Sequence, residues 1–555
     1  MSNLSRRKFL GAGLGTCAGV GAALSLSGCA GNYASGVVTE RRDTVNILSK
    51  DTQLVRNFNV FSPSNHAGPA NGLIFEQLVR LDTFDGAKIK PWLASGWEFS
   101  GDGRELTFTV RDGLTFSDGH PLTADDFHFS MRLPLKYPEL NSSGAGYTGV
   151  TKINDRQVKL TFEQPSFQNL INCTEITIVP KHLWEKHDPR TWTTPEPVGT
   201  GPSTLAGFSS QQFLFQSRKN YWAGALPMPY VRFPTASEDS AKLLMVDGQL
   251  DLSTIAWPGG EKHYVERDRS TYYYAPRPNG GCEGIVFNLT KAPWNDVHVR
   301  RALSMAIDRG VVSRVLADGQ QPMTVTNLDD DIYRDWLVKK YIGKVQPLDV
   351  AGAKRELKAG GWSVEGGKLV KNGKSYAVNF RFITDYPAWH IETAVVADQW
   401  QHNLGLKVNL IAQPGATYNG KVNAGDFDVA YWFCGNANGV YQAYYSLLDP
   451  SLKVPIGKVA VGNPGRWDDP KTKKLMAIMR GTDDQAVLHE AGAQMQKIVV
   501  EQVPFIPVLS GGIWNAINKT YWKDWPIQDG APLKVADSTA DLVLMLQKLR
   551  KADRA

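Results

Sequence analysis

The sequence contains no HExxH, no GxSxG and no Walker A run. Each of those motifs places specific groups: two imidazoles and a base on one helix face, a serine on a tight strand–helix turn, or backbone N–H groups around a phosphate. Their absence removes the motif support for a zinc protease, a serine hydrolase of that type or a P-loop nucleotide hydrolase. The nearest approach to a phosphate loop, "EGGKLVKNGK" at Glu365 to Lys374, has glycine and lysine at the wrong spacing. It reads as a β-hairpin turning at Asn372-Gly373. "GLGTCAGVG" near the N-terminus misses the dinucleotide fingerprint and follows no strand.

Cysteine is scarce, with five residues in 555 and no CxxC pair, so no zinc-ligand spacing exists. Basic residues are dispersed rather than blocked, which argues against tracking a nucleic-acid backbone. The formal charge of +6 falls to +3 when Arg6, Arg7 and Lys8 are removed. With 42% hydrophobic and 21% charged residues the composition is that of a folded globular protein. Its length exceeds the ~250 to 300 residues at which one core stops growing, so at least two lobes are expected.

The N-terminus is the first positive feature. "SRRKFLG" leads into a small, glycine-rich apolar run from Gly11 to Gly28, without a stop-transfer pattern. It reads as an export signal over residues 1–28 rather than a membrane span. The doublet Arg6-Arg7 resembles a twin-arginine signal. "LSGC" resembles a lipobox, which implies lipid attachment at Cys29, on the outer face of a cell membrane. Residues 29–43 then serve as a tether. Of the remaining cysteines, Cys173, Cys282 and Cys434, at most one pair can bond, and buried free thiols are the simpler reading.

From residue 73 to 132, turn signals "FDGA", "SGDGR", "RDGL" and "SDGH" separate a helix and short strands, with "ELTFTV" alternating like a half-buried strand. "LTADDFHFSMR" opens a helix with Thr123 and Asp126 as a capping box.

Several of these stretches carry a resemblance. "GLIFEQLVRLD", "PWLASGWEFSGDGRELTFTVRDGLTFSDGHPLTADDFHFS", "PVGTGP", "PWNDVHVRRALSMAIDRGVV" and "LKAGGW", in that order, resemble the landmarks of family 5 extracellular solute-binding proteins, receptors of ATP-binding cassette importers. The resemblance covers the chain from about residue 44 onward. It implies a mixed α/β, two-lobed fold of the large periplasmic-binding-protein type. Lobe I would be discontinuous, residues 44–284 and 509–555, with lobe II at 285–508. Crossings are placed near Gly284 to Asn288 and Val503 to Leu509, apolar segments that buried sheet strands would match equally. In "DVHVRRALSMAIDRGVV", Val299, Leu303, Ala306 and Ile307 recur at helical spacing and face a core. The arginines and Asp296 of that segment read as caps and solvated charges.

The implied function is capture of a small-molecule ligand between closing lobes and its delivery to permease subunits in the membrane. The receptor is expected to be a monomer, with no catalytic residues, cofactor, metal or nucleic acid. Peptide-binding relatives meet a peptide's amino terminus with an acid in a segment resembling W-x-x-D. The matching segment, "YWFCGNANGVYQAYY", has no acid between Asp428 and Asp449, and Asn436 or Asn438 would stand in its place. An amide offers a donor and an acceptor but no charge, and an ammonium desolvated without a counter-charge is costly. A neutral oligosaccharide therefore fits slightly better than an oligopeptide. The ligand-lining set is Trp432, Asn436, Asn438, Tyr441 and Tyr444, with Tyr386 and Trp389 from "TDYPAWHIE", and Asn65, His66 and Trp257 from lobe I. Helical spacing also allows Tyr441 and Tyr444 to pack inward, and one of Tyr431 and Trp432 belongs to a core. Two other classes stay open: a secreted lipoprotein enzyme such as a glycosidase, which needs two carboxylates ~5 to 10 Å apart in a cleft, and an adhesive or chaperone-like surface lipoprotein, which needs no enclosed cleft.

Overall fold

The computed structural model describes residues 37, 39–49, 54–62, 67–82, 88–141, 144–316, 320–435, 439–527 and 540–553. The expected signal, with Arg6, Arg7 and Cys29, lies outside them, as do Asn65, His66, Asn436 and Asn438. No helix among the described residues is long and apolar enough to cross a membrane.

The protein is mixed α/β in two lobes. Lobe I holds two four-stranded sheets. In one, Glu105–Val110 alternates between buried and half-buried side chains, as "ELTFTV" predicts, because one face packs on Phe127 and Met131 of α1 (Ala124–Lys136). The capping box at the start of α1 is present: Thr123 accepts from the Asp125 N–H at 3.2 Å and Asp126 accepts from the Thr123 N–H at 2.9 Å. A four-residue helix, α2 (Lys181–Trp184), follows. The helix read from "GLIFEQLVRLD" is only a short turn, Ala70–Leu73. Beyond it the chain forms strands Glu76–Gln77 and Val79–Asp82, because partners at Thr177–Ile178 and Lys88–Pro91 supply the backbone hydrogen bonds.

Lobe II carries α3 (Pro387–Leu404), α4 (Gly415–Ala424), α5 (Val440–Leu448), α6 (Pro470–Arg480) and α7 (Gln485–Gln502). The hairpin at Asn372-Gly373 forms between Lys368–Lys371 and Lys374–Tyr376, with both turn residues at positive φ, the geometry an Asn-Gly pair favours.

One six-stranded sheet runs through both lobes. In chain order its strands are β1 (Leu252–Ser253), β2 (Tyr272–Phe287), β3 (Val378–Ile383), β4 (Val408–Gln413), β5 (Val429–Cys434) and β6 (Phe505–Asn518). In space they run β1-β6-β2-β5-β3-β4. The long strands β2 and β6 are antiparallel to each other. Tyr272 to Ala275 lie opposite Asn515 to Asn518 beside β1, whereas Cys282 to Val286 lie opposite Phe505 to Ser510 beside β5. The register shifts between Pro278 and Cys282 and again between Glu283 and Gly284. Irregularities of this kind bend and twist a ladder, so the ribbon turns between its two halves.

Buried side chains gather accordingly. One core spans Cys282 to Leu509; of the others, one lies within residues 78–221, and two join residues 45–265 to Ala516, Ile517 and the C-terminal helix Ala540–Lys548. Val299, Leu303, Ala306 and Ile307 are fully buried, as expected. The neighbouring arginines correct the expectation of solvated charge. Arg300 is buried and donates to the carbonyls of Trp294, Gln502 and Val503 at 2.8 Å, and Arg309 donates to Pro507 O at 2.7 Å. Arg300 thus holds the chain just before β6 and Arg309 the start of the strand itself, each guanidinium satisfying backbone carbonyls.

Candidate ligand site between the lobes

Strand β6 is buried at both ends and half-exposed only at Gly512, Ile513 and Trp514. Those residues lie opposite Pro276, Arg277 and Pro278, so the ribbon meets solvent where it passes between the lobes. The lobes touch again elsewhere. Gln168, in the 3-10 segment Phe167–Glu175 of lobe I, donates to the Thr482 carbonyl at 2.7 Å, and Gln442 donates to Asn172 Oδ1 at 3.2 Å. The lobes therefore meet at the ribbon and at this seam.

Lobe II directs the ends of its parallel strands toward lobe I. Strand β2 arrives from lobe I at Cys282, opposite Cys434, so the C-terminal end of β5 is its end nearest lobe I. Strand β3 is parallel to β5, with Phe380 opposite Val429, and therefore ends on the same side at Ile383. Ligands of open α/β sheets bind at the carboxyl ends of parallel strands.

The side chains at this edge are aromatic. Phe433 is 48% exposed and Tyr386 44% exposed, and their rings meet edge to face at 5.6 Å. Trp389, in the first turn of α3, lies beneath Phe433 at 4.7 Å and is buried. Half-buried Trp432 faces Tyr418 of α4 at 5.8 Å. Tyr431 is the core member of its pair, sitting against Phe380 and Trp389. Burial first, then the charges of Asp385 and Glu283, push the Tyr386 phenol above its usual pKa. Asp385 itself is engaged, accepting from the Gly415 N–H at the start of α4.

The loop between β5 and α5 is pinned at its base. Gly435 has φ +80° and sits so close that a Cβ there would lie 3.0 Å from Asn327 Nδ2 and 3.3 Å from Ala443 O. Asn436 and Asn438, which follow it, lie outside the described residues.

The remaining assignments divide by burial. Tyr441 and Tyr444 correct the ligand-lining expectation, since both are buried in the lobe II core. Tyr444 donates to Thr326 O at 2.9 Å, and Tyr441 stacks on Tyr445 at 5.3 Å. Helix α5 is covered by α6 and α7, so its tyrosine stripe faces protein. Trp389 supports the exposed pair from below rather than offering a face. Trp257 is 8% exposed and stacked on Tyr264 at 4.9 Å, and its backbone N–H donates to the Tyr274 hydroxyl at 2.8 Å.

Two groups at this edge were not singled out from sequence. Phe433 alternates with Trp432 and continues the Tyr431 face, but one residue pair beyond the core. Glu283, 7% exposed, stands directly opposite Phe433 across the β2–β5 ladder. A carboxylate is thus present beside the segment that lacks one. No spacing rule connects residues so far apart; only strand pairing does. The thiols of Cys282 and Cys434, also paired across this ladder, are free and buried, and burial pushes both pKa values up.

Comparison with known proteins agrees with this architecture. The family model described as "Bacterial extracellular solute-binding proteins, family 5 Middle" matches residues 88–452. The periplasmic murein peptide-binding protein MppA of Escherichia coli is 26% identical over 529 residues, covering 87% of this chain and 92% of its own. Protein XP55 of Streptomyces lividans is 30% identical over 440 residues, 78% of this chain and 77% of its own. Among solved structures, the periplasmic oligopeptide-binding protein of a Thermotoga maritima oligopeptide transporter superposes with a TM-score of 0.81 at 23% identity, covering 93% of this chain and all of that one. Its mannohexaose-bound form gives 0.78. The chain belongs to the bacterial extracellular solute-binding proteins of family 5, and its function is that of a substrate-binding protein of an ATP-binding cassette importer.

Proposed function

We propose that the ligand is a neutral, hydroxyl-rich oligomer of the oligosaccharide class, held against the Tyr386–Phe433 pair as the lobes close. The observation that carries this is the exposed aromatic pair at the carboxyl edge of β3 and β5. Sugar rings lay apolar C–H faces on aromatic rings and direct hydroxyls to amides, for which Asn436 and Asn438 are in sequence reach. The Thermotoga maritima relative was crystallised with mannohexaose, which supports the class.

A second reading, an oligopeptide, has its own support. Glu283 beside Phe433 offers a negative charge for an amino terminus, and MppA is named for a murein peptide. Calorimetric titration of the protein with manno-oligosaccharides and with tri- to hexapeptides separates the two. Saturable binding of the sugars, insensitive to Glu283→Gln, is the expected outcome. Peptide binding that Glu283→Gln weakens would replace the first reading with the second.

The reading assigns binding and release, with no bond made or broken. Turnover of a bound glycan, abolished by changing one acidic residue, would favour an enzyme instead. The separate buried cores support a division close to residues 44–284 with 509–555, and 285–508, with the lobe II core reaching out to Cys282 and Leu509. Export through the Arg6-Arg7 signal, anchoring through lipidated Cys29 and a monomeric receptor complete the proposal. Membrane attachment of a Cys29→Ser variant as tight as wild type would sink the anchor.

A further inference from the structure

We propose that Asp118, His120 and His182 form a binding site for one divalent transition-metal ion on lobe I, apart from the interlobe cleft. Asp118 Oδ2 lies 2.8 Å from His182 Nε2 and 3.2 Å from His120 Nδ1. All three donor atoms fall within 4.8 Å of one another, and no other trio of His, Cys, Asp or Glu among the described residues does so.

The spacing is that of ligands around one ion. With bonds of ~2.0 to 2.2 Å, ligand atoms sit about 3.0 Å apart at right angles and about 3.4 Å apart in a tetrahedron. The two carboxylate–imidazole separations bracket the first value; they are also hydrogen-bond distances, so the ion takes the place of the ring protons now shared with Asp118.

The donors are also held in place. The Asp118 carboxylate is oriented by the His120 N–H, which donates to Oδ1 at 3.1 Å and leaves Oδ2 turned to both rings. The two imidazoles stack at 4.0 Å, so an ion held by both requires His120, whose side chain is 59% exposed, to turn its ring toward Asp118, while Phe116 sets its ring against His182 at 5.9 Å. The Ser117 N–H donates to Gly199 O at 2.9 Å, fixing the turn to its neighbour, while His182 is carried by α2.

Two imidazoles and one carboxylate suit Zn²⁺, Ni²⁺ or Cu²⁺ better than Mg²⁺ or Ca²⁺, which prefer oxygen. Asp118 and His120 are exposed, so water completes the coordination and the ion exchanges freely. Binding clips the Ser117–His120 turn to α2, segments that meet only in the folded lobe.

Equilibrium dialysis of the purified full chain against Zn²⁺ tests this, with Co²⁺ as a visible-absorption probe of the ligand set. One equivalent should bind, raising the melting temperature. Asp118→Asn or His182→Ala should each weaken affinity about tenfold or more, whereas His187→Ala, another lobe I histidine, should not. The His120→Ala/His182→Ala double variant should lose the Co²⁺ absorption while keeping its circular dichroism. Unchanged Zn²⁺ affinity in that folded double variant, or no saturable binding by wild type, would overturn the site.

Discussion

Gln168 Nε2 of lobe I donates to the backbone carbonyl of Thr482 in lobe II at 2.7 Å, a contact between the lobes separate from the β2–β6 ribbon. A ligand closes such a receptor only through its higher affinity for the closed form, so contacts present only on closure add to that affinity. Gln168→Ala removes one neutral hydrogen bond, worth about 0.5 to 1.5 kcal/mol. The expected result is a roughly two- to tenfold loss of ligand affinity with an unchanged melting temperature, read by calorimetry and thermal denaturation. A lowered melting temperature with intact affinity would reassign the contact to folding.

Phe433 and Trp389 should part company under substitution, although their rings touch. Phe433 is half-exposed at the site edge, so Phe433→Ala is expected to weaken binding at least several-fold and leave the fold intact. Trp389 is buried beneath it, and Trp389→Ala should cost about 3 to 5 kcal/mol of stability. Tyr386→Ala should behave like Phe433→Ala. Calorimetric affinity set beside urea unfolding checks all three.

Asp251 supplies a pH signature. Burial pushes its carboxyl up to about 6, although Arg41 pairs with both oxygens and the Asn46 N–H donates to it. An acid whose folded pKa is raised stabilises the fold fully below its unfolded pKa and loses that contribution as pH rises through the folded value. Between about pH 4 and 7 the native protein should therefore lose up to ~3 kcal/mol relative to Asp251→Asn. Parallel urea-unfolding profiles for the two proteins across that range would refute the shift.

Gly284 lies where β2 is squeezed between β5 and β6. A Cβ built there falls 2.6 Å from Ile506 O, a backbone atom that has no rotamer to give. Gly284→Ala should force the ladder apart and lower stability by about 1 to 3 kcal/mol, the usual cost of overpacking. Gly96→Ala, with open space around the new methyl, is the matched control for thermal denaturation.

Local features were readable because local chemistry produces them. Thr123 and Asp126 cap α1 wherever the helix is placed, and Asn372-Gly373 turns because its residues tolerate positive φ. Tyr441 and Tyr444 were ambiguous for an equally plain reason. Helical spacing shows that they share a face, and only the packing of α6 and α7 over α5 says that the face looks inward. Arg300 and Arg309 read as solvated charges until the carbonyls at the root of β6 arrive from some 200 residues away.

The sequence by itself determined the class of the molecule. Its landmarks in family order imply the two-lobed receptor, and its alternations and caps imply many of the elements. Tertiary structure decided which side chains face the ligand space, because that depends on where strands end relative to the core. Phe433 is exposed because β5 outruns its cover, and Glu283 stands beside it because β2 enters the sheet next to β5. Asp118 and His182 stand 64 residues apart in the chain and 2.8 Å apart in space, a proximity created by folding alone.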